Sequence, residues 1–81
     1  MPQALMEAYK AIFGHEPEPR RKIADLAALV RAVAGGFVAT DHGRDLGERC
    51  LFEVQAFEDF LPHEVYSYAC RELNARLSRA A

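Results

Sequence analysis

The sequence predicts an all-α fold, a small bundle of three main helices plus a shorter N-terminal helix, and three observations support this fold class. Ala, Leu, Glu and Arg are abundant, and these residues favour helix. Long runs of β-branched residues, which are typical of strands, are absent. Apolar residues recur every three or four positions, which is the period of amphipathic helices. The 81 residues are predicted to form one helical domain, residues 1–81.

The first helix is predicted over about residues 2–13, because Pro2 suits a first helical position and Gly14 a stop. Its expected buried residues are Leu5, Tyr9, Ile12 and Phe13. The next segment, 14–19, contains two prolines that cannot continue a helix and that restrict the residues before them. This Gly/Pro break sets helix 1 apart, so helix 1 either folds back on its own chain or crosses onto a partner.

The second helix is predicted from near Arg20 to about Ala39, with one clean apolar stripe. The stripe consists of Ile23, Leu26, Ala27, Val30, Val33, Ala34, Phe37 and Val38. The Gly35-Gly36 pair lies on the opposite side. Adjacent glycines end a helix, bend it, or let another part of the protein approach closely, and the sequence leaves these three alternatives open.

A turn is predicted over residues 40–43, with Thr40 or Asp41 able to cap the helix that follows. Helix 3 is predicted over about residues 44–60, and Pro62 marks its boundary with helix 4. The apolar stripe of helix 4 consists of Val65, Tyr66, Ala69, Cys70, Leu73 and Leu77.

Helix 3 carries more apolar surface than one buried side needs. Its first stripe consists of Leu46, Cys50, Val54, Phe57 and Leu61. Phe52, Ala56 and Phe60 form a second stripe about 120° away on a helix that turns about 100° per residue. A helix that is apolar on two sides needs two surfaces to pack against. We therefore expect the protein to be dimeric, with self-association through helix 3.

Aromatic residues that fall off the main stripes are the expected anchors of an interface. Phe52, Phe60 and Tyr68 are such residues, and with Ala56 they form the predicted protein interface. The alternative is that these aromatic side chains close the bundle against helix 1.

Charge is unevenly distributed along the chain. The net charge is −2, but residues 41–64 alone carry seven acidic and two basic side chains. This acidic middle suits a basic patch on a partner or on a second copy, unless it is only a solvated helix face. The acidic balance also disfavours nucleic-acid binding. The exception is the cluster Arg20, Arg21 and Lys22, whose charges oppose the helix dipole and suit phosphate or an acidic protein surface.

Motifs for catalysis, metal binding or nucleotide binding do not emerge. Asp41, His42, Asp45 and Glu48 share one helix start, where acidic residues already have a structural explanation. Cys50 and Cys70 lie on apolar stripes, so we expect both thiols to be free, buried and inert. We therefore expect no enzyme, no cofactor and no metal.

The start of the chain does not resemble a signal peptide, and no apolar run is long enough for a membrane span, so we expect a cytoplasmic protein. The excess of Arg over Lys and the abundance of Ala are typical of bacteria with GC-rich genomes. The hypothesis is a non-catalytic, homodimeric interaction module, a small bacterial regulator that binds a larger protein such as a transcription factor, as antiactivators do. The alternative is a small helical DNA-binding regulator that works through Arg20, Arg21 and Lys22.

Overall fold

The computed structural model describes residues 2–17 and 24–79. At two of these residues, Ala24 and Asp25, it describes the backbone alone. Its elements are α1 (Gln3–Phe13), α2 (Ala24–Gly36), α3 (Ala39–His42), α4 (Arg44–Ala56), a 3₁₀ turn (Glu58–Phe60) and α5 (His63–Arg79). No strand occurs within these described ranges, so the all-α prediction is confirmed. In the same ranges, no helix combines the length and apolar content that crossing a membrane requires.

The core lies where α5 packs against both α2 and α4, with α1 covering α2 and α4 from the other side. Its largest fully buried side chain is Phe37, at the end of α2. The predicted stripes of helices 2, 3 and 4 supply most of the rest. The fully buried members from these stripes are Val30, Val33, Ala34, Cys50, Val54, Ala69 and Leu73. Ile23, which was also expected in the core, lies outside the described residues.

Helix α1 folds back onto α2 and α4 of its own chain. Leu5 and Ala8 are completely buried there, and Gly14 ends the helix in the left-handed conformation at φ 80°. The expectation that Phe13 is buried is wrong, because its ring is 44% exposed. The ring tip lies beside Gly36, which has no side chain to cover it.

The predicted end of helix 2 at about Ala39 is also wrong, since α2 ends at Gly36 and the separate short helix α3 begins at Ala39. Val38 therefore leaves the helical register and is 41% exposed. The Gly35-Gly36 pair both ends α2 and allows close approach. A Cβ atom on Gly35 would lie 3.0 Å from the Tyr68 hydroxyl, and one on Gly36 would lie 2.9 Å from an Ile12 methyl group.

The predicted turn at 40–43 is mostly helical, which removes Thr40 and Asp41 as caps. Both residues lie inside α3, and the residue before α4 is Gly43, at φ 99°. The ring of His42 takes a capping role, because its Nδ1 accepts the backbone N–H of Val38 at 3.0 Å. The start of α3 is therefore held from within by its own last residue.

Two arginines connect helices that are distant in sequence. Arg76 on α5 donates to the carbonyl oxygen of Phe37 at 3.2 Å, just beyond the end of α2. Arg44, at the start of α4, donates to the carbonyl oxygen of Leu77 at 2.7 Å, near the end of α5. Carbonyl groups at helix ends have no partner within the helix, so these bonds satisfy them and fix the relative position of the three helices.

Candidate protein-interaction surface

The outward face of α4 presents Phe52 to solvent. Cys50 and Val54 point into the core and are fully buried, and Phe52 lies about 200° of helical rotation from each of them. Its side chain is 70% exposed. Ala56 lies one helical turn further on and is exposed as well. Neither Phe52 nor Ala56 therefore contributes to the face of α4 that packs in the core.

Phe60 lies on a 3₁₀ turn and not on α4, because α4 ends earlier than predicted. The helix was expected to continue to residue 60, but it stops at Ala56, and the N–H of Phe57 is shared between the carbonyl oxygens of Glu53 and Val54. The 3₁₀ turn then carries Phe60, which is 62% exposed. Pro62, which has no N–H to donate, lies two residues further on. Leu61 returns to the core, as the first stripe predicted.

We call Phe52, Ala56 and Phe60 the aromatic surface. Phe57 connects this surface to the core. Its half-buried ring packs edge-on against Phe60, with 6.3 Å between ring centroids. In the described part of the chain, Phe52 and Phe60 are the two most exposed large apolar side chains. The alternative that they close the bundle against α1 is wrong, because both side chains stay exposed although α1 packs on α4 and contacts its Glu53 and Cys50.

Acidic side chains border the aromatic surface. Glu48 lies one turn before Phe52, and Glu58 and Asp59 come just before Phe60; all three are exposed. Glu48 pairs with Arg44 at 3.4 Å. Within the described residues, neither Glu58 nor Asp59 forms an ion pair. Among the described residues, the Phe60 end of the surface therefore carries negative charge with no basic side chain paired to it.

The basic residue nearest in sequence to Phe52 is already engaged. Arg49 donates to Glu7 on α1 at 3.3 Å and to Asp45 on its own helix at 3.1 Å. These two hydrogen bonds raise the pKa of the Arg49 guanidinium, and the bond to Glu7 has the larger effect. Arg49 therefore serves the contact between α1 and α4 and leaves the acidic border unbalanced.

Tyr68, the fourth predicted interface residue, lies elsewhere. It is half-buried on α5 and faces α2, where its hydroxyl approaches Gly35. The guanidinium of Arg71 lies 5.8 Å from its ring centroid. Tyr68 also lines an open depression of about 490 Å³ together with Arg31 and Glu64. Phe52, Ala56 and Phe60 thus follow one another along the segment from α4 to the 3₁₀ turn, whereas Tyr68 lies at the contact between α2 and α5.

The predicted electrostatic contact of Arg20, Arg21 and Lys22 lies outside the described residues. The group at 41–48 is described, but its members do not meet at one site. Asp45 pairs with Arg49, and the His42 ring packs 5.4 Å from that of Phe37. Among residues 2–17 and 24–79, no three His, Cys, Asp or Glu side chains converge as a metal site would require.

The two cysteines are both free, but only one is fully buried. Cys50 is 0% exposed and its Sγ donates to the carbonyl oxygen of Ala4 at 3.3 Å. Burial raises the pKa of its thiol to about 12, which makes it a poor nucleophile at neutral pH. Cys70 is half-buried, so the expectation for it is wrong. It lies one turn from Tyr66, whose pKa is raised by burial and by a hydrogen bond to Cys70.

Glu53 is the residue that sequence reasoning missed. It looked like an interruption of the apolar part of helix 3, but it is half-buried and accepts the N–H groups of Ala4 and Leu5, at 2.8 and 2.9 Å. A carboxylate beside apolar residues on a core helix is the only signal that the sequence offers for this role. Glu53 thereby joins α1 to the flank of α4, about 100° of helical rotation from Phe52.

The chain matches no protein-family model, no curated protein and no solved structure. What can be inferred about its activity therefore comes from its own side chains. Among the described residues, the aromatic surface holds the two large apolar side chains that the packing of the bundle leaves most exposed.

Proposed function

We propose that this protein is a non-catalytic protein-binding module whose contact surface is the aromatic surface. The observation that carries the proposal is the exposure of Phe52, 70%, and of Phe60, 62%, on a segment held firmly by the core. Burying a phenylalanine side chain that would otherwise face water stabilises an assembly by about 1.5–3 kcal/mol. Large apolar side chains of this kind are the usual anchors of protein interfaces.

Other parts of the described chain offer less to a ligand. The depression near Tyr68 is lined by single charged and polar groups, and the described carboxylates and imidazoles do not converge. The thiol that lies deepest, Cys50, is shielded by α1. An exposed apolar surface, in a described chain without converging acid, imidazole or thiol groups, supports binding and gives no support to catalysis.

The partners that we propose are a second copy of the chain, giving a homodimer, and a larger protein that the module regulates. A symmetric dimer would place the aromatic surface of one copy on that of the other. The regulatory part, a small cytoplasmic bacterial protein that binds a transcription factor in the manner of an antiactivator, extends the proposal by analogy of size and class alone.

Sedimentation equilibrium of the wild type, Phe52→Ala and Phe60→Ala tests the self-association. We expect a dimer at micromolar concentration, and we expect each variant to weaken it by about 2 kcal/mol, close to 30-fold in the dissociation constant. His63→Ala is the control, because His63 is exposed and its side-chain hydrogen bond among the described residues is to Ser67, one turn along α5. Thermal unfolding of each variant separates loss of association from loss of folding.

A monomeric wild type, or a dimer that survives both phenylalanine substitutions, would contradict the homodimer through this surface. Substituting Arg20, Arg21 and Lys22 together by alanine tests the alternative. If that variant alone lost binding, with DNA as the ligand and a steep dependence on salt, the protein would be a DNA-binding regulator instead.

A further inference from the structure

The acidic border decides which occupant fits the aromatic surface best. A stable interface covers about 800 Å² on each partner, whereas the whole protein exposes 5202 Å². Three side chains cannot supply that area. Any interface centred on Phe52 and Phe60 therefore also covers their neighbours, and among the exposed ones are Glu48, Glu58 and Asp59.

A second copy of the chain is a poor electrostatic match for this surface. In a symmetric dimer the same patch contributes from both copies, so Glu58 and Asp59 approach a patch that carries the same charges. Like charges across an interface are unfavourable and suppress the wrong partner. Arg49 gives no relief, because it is held by Glu7 and Asp45.

Resting on the proposed function, we propose that the preferred occupant of the aromatic surface is a basic amphipathic helix of another protein. Its apolar side chains, spaced three or four residues apart, would pack along α4 against Phe52 and Phe60 as one helix packs on another. Lysine or arginine side chains beside that stripe would lie next to Glu58 and Asp59. Such a helix competes with the second copy for the same surface. The homodimer is then the form of the protein in the absence of the partner.

The two assemblies respond to salt in opposite directions. Salt screens repulsion between the like charges of the homodimer, so its dissociation constant falls as ionic strength rises. Salt also screens attraction between the acidic border and a basic helix, so the dissociation constant of that complex rises. This difference in sign identifies the occupant without knowledge of its sequence.

The probe is a designed amphipathic helical peptide of about 18 residues with a leucine stripe flanked by lysines. The comparison peptide has glutamate at every lysine position. Titration calorimetry with the full chain should show the lysine peptide binding at least about tenfold more tightly than the glutamate peptide. Sedimentation of the saturated sample should show one peptide on each monomer and no dimer.

Variants of the protein locate the binding. The double variant Glu58→Gln with Asp59→Asn should bind the lysine peptide about three- to tenfold more weakly than the wild type does. The pair Glu16→Gln with Asp41→Asn removes equal charge from exposed positions on other elements and should leave binding unchanged. Phe52→Ala should lower the affinity for the lysine peptide by at least about tenfold. Because Phe52 and both acidic residues are exposed, all of these variants are expected to fold.

Equal affinity for the two peptides overturns the inference, and so does binding of the lysine peptide that is insensitive to Phe52→Ala. Persistence of the dimer in the saturated sample overturns it as well. The proposed function fails separately. If the dimer depends on Phe52 while the peptides are not distinguished, only the basic helix is wrong. If the lysine peptide binds as described but no dimer forms without it, only the self-association is wrong.

Discussion

The carboxylate of Glu53 in α4 accepts the backbone N–H of Leu5 at 2.9 Å, across the contact between α4 and α1. Its other oxygen accepts the N–H of Ala4 at 2.8 Å. The first N–H groups of a helix have no partner within it, and a negative charge there is favourable to the helix dipole. Pro2, which precedes α1, supplies no side-chain cap. A residue that is distant in sequence therefore caps the first helix.

Glu53→Gln tests this cap. The glutamine amide retains one acceptor oxygen but turns an NH₂ group toward a backbone donor, so we expect a loss of about 1–2 kcal/mol in the free energy of unfolding. Urea denaturation measures the loss, and hydrogen exchange at Ala4 and Leu5 should accelerate. Glu48→Gln on the exposed side of the same helix is the control. Its surface ion pair with Arg44 should be worth less than about 1 kcal/mol. Equal losses in the two variants would argue against the cap.

Gly47 lies buried near the start of α4, where Phe37 and Leu77 meet. A Cβ atom at this position would lie 2.7 Å from both a methyl carbon of Leu77 and a ring carbon of Phe37. We expect Gly47→Ala to cost about 1–3 kcal/mol of stability, because the core cannot absorb the added volume. Thermal unfolding checks this value.

Gly35→Ala is the matched control for Gly47→Ala. The neighbour of its added Cβ would be the hydroxyl end of Tyr68, at 3.0 Å, and a flexible side chain can move away. Alanine in a helix is also favoured over glycine by about 1 kcal/mol. Gly35→Ala should therefore be neutral or stabilising. A loss as large as that of Gly47→Ala would show that the packing argument is wrong.

Periodicity predicts much of this fold because a side chain that points into the core of a regular helix recurs every three or four residues. Leu46, Cys50 and Val54 were expected on one buried stripe, and all three are buried. The same pattern leaves Phe52 and Phe60 without a place in the core. The aromatic surface could for this reason be predicted from the sequence, whereas its exposure needed the structure.

Features that depend on contacts between distant residues could not be predicted in this way. The caps provided by Glu53 and Arg76 join positions more than 35 residues apart, and a helical pattern carries no information about such pairs. Tyr68 was placed on the interface because it leaves the stripe of its own helix. The sequence could not show that α2 would approach it, with Gly35 lying beside its hydroxyl group.

The buried thiol of Cys50 makes stability depend on pH in the alkaline range. Burial raises its pKa from 9.0 to about 12 in the folded protein. Below pH 9 the thiol is protonated in both states, and its contribution is fully present. Between about pH 9 and 12 the unfolded chain loses the proton first, so the free energy of unfolding falls by up to roughly 1.4 kcal/mol per pH unit.

Urea denaturation of the wild type and of Cys50→Ala, from pH 8 to about 10.5, measures how much stability the buried thiol contributes. The range lies below the pKa of about 12 that the thiol has in the folded protein. The wild type should lose more stability over this range than Cys50→Ala, which has no thiol to titrate, although Cys50→Ala starts lower at pH 8. Parallel curves for wild type and Cys50→Ala would contradict the assigned shift.

Two phenylalanines separate folding from binding. Phe37 is 0% exposed, and its removal leaves a cavity between α2, α4 and α5. Phe37→Ala should therefore cost about 3–5 kcal/mol of stability, enough to unfold much of a domain this small. Phe52 is 70% exposed, so Phe52→Ala should change the stability of the monomer by no more than about 0.5 kcal/mol. Thermal unfolding at concentrations below the dimer dissociation constant gives the monomer values. If Phe52→Ala proved as costly there as Phe37→Ala, Phe52 would be part of the fold, and its exposure would no longer indicate an interface.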